Sequence, residues 1–541
     1  AGDQFSIVVR EEGSVWGTGL NDTAQGGNTH RDDTQLLAQV GNGNYYSLEI
    51  GGKPFNGNDA YEIRNASDVV EQGGKMPRSV TLEADEQLWI NKNALIEVYN
   101  STFNLIDDEI RRLVESGASL SMTSSDPTIA YFQRLDGEWY LIPTGRRHGS
   151  VIITVEHVGT NYRGYYQVVV LPNAELIEGA YNVVAEPKVA TGYRNNTYNR
   201  ETSSANLALR ADGTVWFWGQ YRHYANDGSG RMQVAGEHAE QYPVQVDFAS
   251  ANMAEDEYII DVQVGQDFFL ALSNKGKVYA WGDNYNHQLG DGSATYRSTP
   301  VPVTGLPENQ QIIAIAAGGR FSVALTGDGE VYTWGLNGSG QLGIGTTGAS
   351  SSKAVRVLGN EGNGYLEDII YITAGSAHAV AIRVDGTLFA WGDNSTGQLG
   401  NEKKGVGGVS NVPLQVASGD YNEVSYFIDQ VVRVAAGANH TMALTRDGQL
   451  FTWGSNAYGQ LGVPGVAAGI PVSVPRRVEL SASGVVSGQI IDIFAGEYSS
   501  MARTSDDTLL AWGYNNAGQL GIGNTTDQQL PIPVLRGNGV N

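Results

Sequence analysis

The stretch DGEVYTWGLNGSGQLG, residues 328–343, decides the fold. Asp-Gly supplies the positive φ of a tight two-residue hairpin, and the run behind it alternates apolar and polar residues into a Trp-Gly end. A Gly-Gln-Leu-Gly loop closes the stretch. The same signature ends at Gly219 (DGTVWFWG), Gly282 (KGKVYAWG), Gly392 (DGTLFAWG), Gly454 (DGQLFTWG) and Gly513 (DDTLLAWG). A seventh, degenerate copy, EGSVWGTG, ends at Gly19 with Thr18 where the others have Trp. Trp218, Trp281, Trp334, Trp391, Trp453 and Trp512 recur every 53 to 63 residues, whereas Thr18 lies 200 residues before Trp218, so one gap holds an insert.

Working outward, each unit opens with an apolar strand ending in Ala-Gly, as in IIAIAAG (312–318) and QVVRVAAG (430–437). A second strand such as SVALT or TMALT follows, then the Trp-Gly strand, the GQLG loop and a Pro/Val strand. Four short strands cannot bury both faces of their sheet alone. Stacking seven copies radially buries them, which predicts an all-β, seven-bladed propeller; a coiled solenoid is the other way to stack such units.

Composition narrows the function. The chain has 541 residues, 34 Lys+Arg against 58 Asp+Glu for a net charge of −24, and no cysteine. Without cysteine there is no disulfide, thiol nucleophile or cysteine-held metal. The acidic excess repels nucleic acid and anionic lipid, so neither nucleic-acid partners nor membrane insertion are expected. No run approaches the roughly 18 to 20 apolar residues that span a bilayer. The start, AGDQFSIVVREEG, has neither the basic nor the apolar segment of a signal peptide, which fits a chain processed or trimmed ahead of Ala1. Ala1-Gly2 falls where the first unit's Ala-Gly belongs, so that unit's opening strand is expected from a precursor, or its place taken by PIPVLRGNGVN and a neighbour.

The AG…S-x-A-L…DG-x-V-x-x-WG…GQLG unit resembles the regulator of chromosome condensation repeat. The resemblance covers about 440 residues and implies a seven-bladed propeller of the kind found in a nucleotide-exchange factor for a small GTPase, in bacterial β-lactamase-inhibitor proteins and in many surface proteins. Residues 1–75 are blade one and a linker, 76–172 an insert, and 173–541 blades two to seven. Within the insert, SLSMTSSDPTIAYFQRLDGEWYLIPTGRRHGSVIITV resembles bacterial Ig-like domains of adhesins and virion proteins, which implies a β-sandwich without the antibody disulfide. ALIEVYN (94–100) reads as one of its strands, and IDDEIRRLVESG (106–117) as a short helix through Ile106, Ile110, Leu113 and Val114.

Motifs that suggest chemistry have simpler explanations. Gly338–Gly343 spells G-x-G-x-x-G, but IGTTGASSS does not open the helix that a pyrophosphate site requires, so no cofactor is expected. His378 and His440 occupy a slot filled elsewhere by Phe5, Phe268 and Phe321, which marks them as packed rings and not metal ligands. No catalytic elbow, phosphate loop or metal-binding His pair occurs, and acidic doublets such as Asp32-Asp33, Asp107-Asp108 and Asp506-Asp507 fall at turns or helix starts. No enzyme activity is expected, and a loop-bound calcium ion stays open.

Blade two departs from the pattern. GYRNNTYNRETSSAN is a long first loop, and GQYRHYANDGSGRMQVAGEHAEQYP replaces the GQLG loop. Tyr193, Arg194, Tyr198, Arg200, Tyr221, Arg222, His223 and Tyr224 give these loops the Tyr/Arg-in-polar composition of contact surfaces, although loops that merely cover the blade would look alike. In an up-down-up-down blade both loops share one face, and the insert leaves from the opposite, Asp-Gly face. The expected function is a non-enzymatic extracellular protein, a virion appendage or cell-surface adhesin, contacting protein or surface glycan, with neighbouring subunits of a larger assembly as a further option. The alternative is an inhibitor or exchange-factor-like propeller gripping a globular partner, and a third is a carbohydrate-active enzyme.

Overall fold

The computed structural model describes residues 188–535 apart from 193–204, 211, 227–231, 255–256, 402–407, 420–427, 429, 481–488 and 507. Ahead of these it describes the backbone of ten strands between Phe5 and Val170. The chain is all-β. Six four-stranded antiparallel sheets follow one another, spanning 188–245, 259–302, 312–356, 369–415, 431–477 and 490–533, each with its strands in chain order. The tryptophan each carries identifies it below, from the Trp218 sheet to the Trp512 sheet.

One register recurs. The glycine after Trp pairs with the first residue of the second strand: Ala205 with Gly219, Phe268 with Gly282, Phe321 with Gly335, His378 with Gly392, His440 with Gly454 and Ser499 with Gly513. These glycines have φ between 98° and 103°, beyond the reach of an ordinary side chain, and the bulge they make re-aims the chain toward the fourth strand. Strands Phe5–Val9, Val15–Gly19 and Thr34–Gln39 form a three-stranded sheet in the same register, Phe5 opposite Gly19 and the bulge again at the Thr18 position. Between 79 and 170, Ser79–Leu82, Arg163–Val170, Gly149–His157 and Leu120–Ser124 form one sheet, with Leu88–Ile90, Glu138–Pro143 and Ala130–Leu135 in another. The expected strand at 94–100 and helix at 106–117 lie outside the described residues.

The core sits between consecutive sheets. Phe321, Val323, Leu325 and Val331 of the Trp334 sheet pack with Ile369, Ile372, Ala381, Phe389 and Trp391 of the next. All six tryptophans are buried, and four reach back to the sheet before. Trp334 Nε1 donates to the Gln288 carbonyl at 2.9 Å, Trp391 to Gln341 at 3.0 Å, Trp453 to Gln398 at 2.9 Å and Trp512 to Gln460 at 2.9 Å. The acceptor is always the glutamine of the preceding Gln-Leu-Gly turn, whose first residue is Gly in three cases and His287 in the fourth. Gly338–Gly343 is one of these turns: Leu342 N donates to Asn337 Oδ1, Ser339 N to Gln341 Oε1, and a Cβ on Gly343 would strike the Trp391 ring at 2.9 Å.

His378 and His440 are packed rings, fully buried, with Nε2 3.1 Å from Thr441 Oγ1 and 3.0 Å from Ser500 Oγ. Burial depresses both imidazoles, His378 to about 3, helped by the nearby His440, and His440 to about 4. The unfolded chain therefore takes up protons below about pH 6.5 that the folded chain refuses, so stability is complete above that pH and falls as pH drops toward 4. A His378→Phe/His440→Phe variant, copying Phe268 and Phe321, is expected to flatten the fall in thermal midpoint between about pH 6.5 and 4.5. Parallel acid limbs in variant and parent would refute it. Trp391→Ala removes a ring and the donor to Gln341, and urea unfolding should show a loss of about 3 to 5 kcal/mol. Under 1 kcal/mol, the inter-sheet packing described here would be wrong.

Candidate functional site

The Trp218 sheet has no GQLG turn. Its third strand instead runs on through Val215–Asn226 and its fourth through Met232–Gln245, making a long two-stranded arm. The expected loop GQYRHYAN…EHAEQYP is thus, over its described part, a paired hairpin. Cross-strand partners explain the difference: Tyr221 opposes His238 with ring centroids 5.2 Å apart, and Arg222 Nε meets Glu237 Oε2 at 2.6 Å.

Beyond Gly219 the second strand has ended, so the inner edge of the arm would leave backbone N–H groups bare. Two carboxylates from the next sheet take them. Arg222 N donates to Asp267 Oδ1 and Tyr224 N to Asp283 Oδ1, each at 2.9 Å. Both aspartates are buried, and Gln288 Nε2 also donates to Asp283 at 2.7 Å. Burial pushes the Asp283 carboxyl upward, opposed by the Tyr224 N–H and by Arg320. Arg320, one sheet further on, lies over the Tyr224 ring at 5.4 Å and against Met232 Sδ at 3.4 Å. His223 stacks on Tyr296 at 3.9 Å, and Gly236 opposite leaves room for its ring, since a Cβ there would come within 2.3 Å.

Tyr221 corrects the expectation of eight exposed contact residues. It is 4% exposed, wedged edge-on against Phe217 at 5.5 Å and Phe269 at 5.0 Å, with its hydroxyl 3.2 Å from that of Tyr296. Burial raises its pKa, and the ring belongs to the core. Arg222, His223 and Tyr224 are half-buried struts of the arm, whereas Tyr193, Arg194, Tyr198 and Arg200 lie outside the described residues. What the sequence reading missed is the outer strand, where Met232 is 42% and Val234 48% exposed, with Tyr242 and Val244 further along.

A central cavity of about 840 Å³ is lined by the innermost strands. Its charges include the Lys188–Asp261 pair at 2.5 Å, with Arg433, Asp492 and Tyr371 nearby. Among the described residues, no three His, Asp or Glu side chains are grouped to hold a metal ion, and no helix is long and apolar enough to cross a membrane.

A family model described as an RCC1-like domain matches residues 202–535, more than half of the chain. The chain belongs to the RCC1-like domain family. It is 32% identical over 333 residues to the ultraviolet-B receptor UVR8 of Arabidopsis thaliana, covering 61% of this chain and 68% of that protein. Against the E3 ubiquitin-protein ligase HERC2 of Mus musculus it is 26% identical over 470 residues, 86% of this chain but 9% of the ligase. Among solved structures, Prp20p of Saccharomyces cerevisiae, described with its binding to Gsp1p and histones, aligns with TM-score 0.51 and 20% identity over 66% of this chain and 87% of that one. That likeness concerns the propeller fold.

These RCC1-like relatives overturn two expectations. A light receptor and a ubiquitin ligase have regulatory roles, not those of a virion appendage or adhesin. Ubiquitin is a constituent of the cell interior, so the extracellular, virion or cell-surface location is withdrawn as well. The Ig-like resemblance had carried that reading, and such a module says little about function by itself. The relatives' names give no support to a surface glycan or to neighbouring subunits as partners.

The clamp on the arm is directly testable. Asp283→Ala should speed amide hydrogen exchange across residues 221–226 at least tenfold, leave the Trp453 sheet unchanged, and be rescued in part by Asp283→Asn, which keeps an acceptor for Tyr224 N. Unaltered exchange in the alanine variant would show that the carboxylate does not hold the arm.

Proposed function

We propose that the chain is a protein-binding propeller that grips a globular protein partner on the face bearing the arm, in the manner of an exchange factor or protein inhibitor, with no chemistry of its own. The observation that carries this is a rigid arm, fixed by two buried carboxylates, whose outer strand offers Met232, Val234, Tyr242 and Val244 to solvent beside Glu237 and His238. Preorganised amphipathic surface of this kind lowers the entropy lost on association. The protein partners in the relatives' names, Gsp1p and histones for Prp20p, agree with it. The contact surface includes Tyr193, Arg194, Tyr198 and Arg200 of the neighbouring loop and the flanks of Arg222, His223 and Tyr224, with Tyr221 beneath. In this proposal the Phe5–Gln39 sheet is the seventh blade, and residues 76–172 form an Ig-like sandwich serving as spacer or second contact.

Met232→Asp and Val234→Asp place charges on exposed positions, so they should weaken capture of the partner from the native source at least tenfold while the melting temperature stays within about 2 °C. Removing residues 78–171 behind a short Gly/Ser linker should leave capture intact. Capture that survives both aspartate variants but disappears with the deletion would transfer the binding role to the insert.

A further inference from the structure

The outer strand of the arm is an open sheet edge. Met232–Gln245 is the last strand of its sheet and runs 14 residues, where the fourth strands of the next five sheets have six or seven. Those shorter edges carry Pro300, Lys353, Pro413, Pro475 and Pro531, residue types that keep an edge strand from pairing with a stranger. From Met232 to Tyr242 the arm has neither proline nor lysine, and Pro243 comes only where the strand rejoins the blade. The middle of the arm is regular: Gly236 to Glu240 oppose His223 to Gly219 without a bulge. Because Asp267 takes the Arg222 N–H, the Arg222–Glu237 pair is not hydrogen-bonded, and alternation then turns the N–H and C=O of Glu237 and Ala239 to the open edge. Among the described residues no backbone hydrogen bond reaches them there.

We propose that this edge pairs with the same strand of a second copy of the chain, antiparallel about a two-fold axis at His238. The spacing is self-complementary. With His238 on the axis, Glu237 faces Ala239 of the second copy, and since both residues point their backbone groups outward, each such pair exchanges both hydrogen bonds. The exposed apolar residues fall at matching steps: Met232 lies six residues before His238 and Val244 six after it, Val234 four before and Tyr242 four after. Pairing therefore brings Met232 toward Val244, and Val234 toward Tyr242, of the second copy. No like charges stand directly opposite, because Glu240 faces Gly236, and Glu237 is already held by Arg222 at 2.6 Å. An isologous contact of this kind closes on itself and leaves no further edge to extend. It also covers the strand offered to a globular partner, so self-pairing and partner capture compete, and the dimer is the masked form of the site. That regulatory consequence rests on the partner-binding proposal, whereas the pairing itself does not.

Sedimentation velocity of the full chain at physiological salt, from about 1 to 100 µM, should show the mass rise from monomer to dimer. Ala239→Pro removes an outward N–H that bonds nothing inside the arm, and should weaken association about tenfold or more. A parent chain that stays monomeric throughout, or a dimer unchanged by the proline, would overturn the pairing. Since the chain has no cysteine, a second test does not depend on the proline being tolerated. His238→Cys puts a thiol on the axis, in a non-hydrogen-bonded pair whose Cβ atoms come within about 5 Å of each other. With glutathione disulfide as oxidant, this variant should form a disulfide-linked dimer about tenfold faster, or more, than Lys353→Cys on the outer strand of the Trp334 sheet. Equal rates in the two variants would overturn the register at His238. Neither measurement contains another protein, so a monomeric arm that still captures its partner and a dimeric arm that captures none are told apart.

Discussion

The bond from the indoles of Trp334, Trp391, Trp453 and Trp512 to the glutamine carbonyl of the sheet before is the constraint on which the rest of the propeller depends. A buried N–H without an acceptor is costly, and each of these four indoles finds its acceptor in its neighbour. The same carbonyls of Gln288, Gln398 and Gln460 also receive Ser322, Thr441 and Ser500. The turn that presents the carbonyl closes on itself through its own asparagine and glutamine. Its last glycine, at φ near +67° in Gly290, Gly343, Gly400 and Gly462, lies flat against the incoming indole, where any side chain would collide. Donor, acceptor and clearance are thus shared between consecutive sheets, so no sheet completes its core alone.

Where that bond is replaced, the candidate site appears. Ahead of Trp281 stands the arm in place of a GQLG turn, and the junction is filled by rings instead: Phe269 stacks on Trp281 at 5.3 Å, Phe248 meets it edge-on at 5.8 Å, and Tyr221 closes over Phe269. Aromatic packing compensates for the missing turn, and it frees the strands to extend past the blade. The burial of Tyr221 and the extension of the arm are two results of one substitution.

The blade grammar was legible because it is local and repeated: Asp-Gly, Trp-Gly and GQLG each act within a few residues, and their recurrence over six four-stranded sheets fixes the register. The role of His378 and His440 could be inferred because parallel copies put Phe in the same slot. The arm was not legible. Its alternation is broken by Gly, Asn and Ser, and the groups that hold it, Asp267 and Asp283, lie 45 and 59 residues from the amides they accept.

The two faces of the propeller are chemically unequal, which bears on where recognition belongs. On the Asp-Gly side the turns satisfy themselves. Asp212 and Asp385 accept from Thr214 and Thr387, and Thr445 and Thr504 donate to Asp447 and Asp506. A repeated, closed hydrogen-bond pattern leaves little variety for a partner to read. On the opposite side, the residue just before the second strand changes from sheet to sheet, from Asp267 and Arg320 to Ala377, Asn439 and Tyr498, over one unchanging backbone. Five chemistries displayed at one geometric position give that face the variety that the proposed protein partner would read, and the arm extends from the same face.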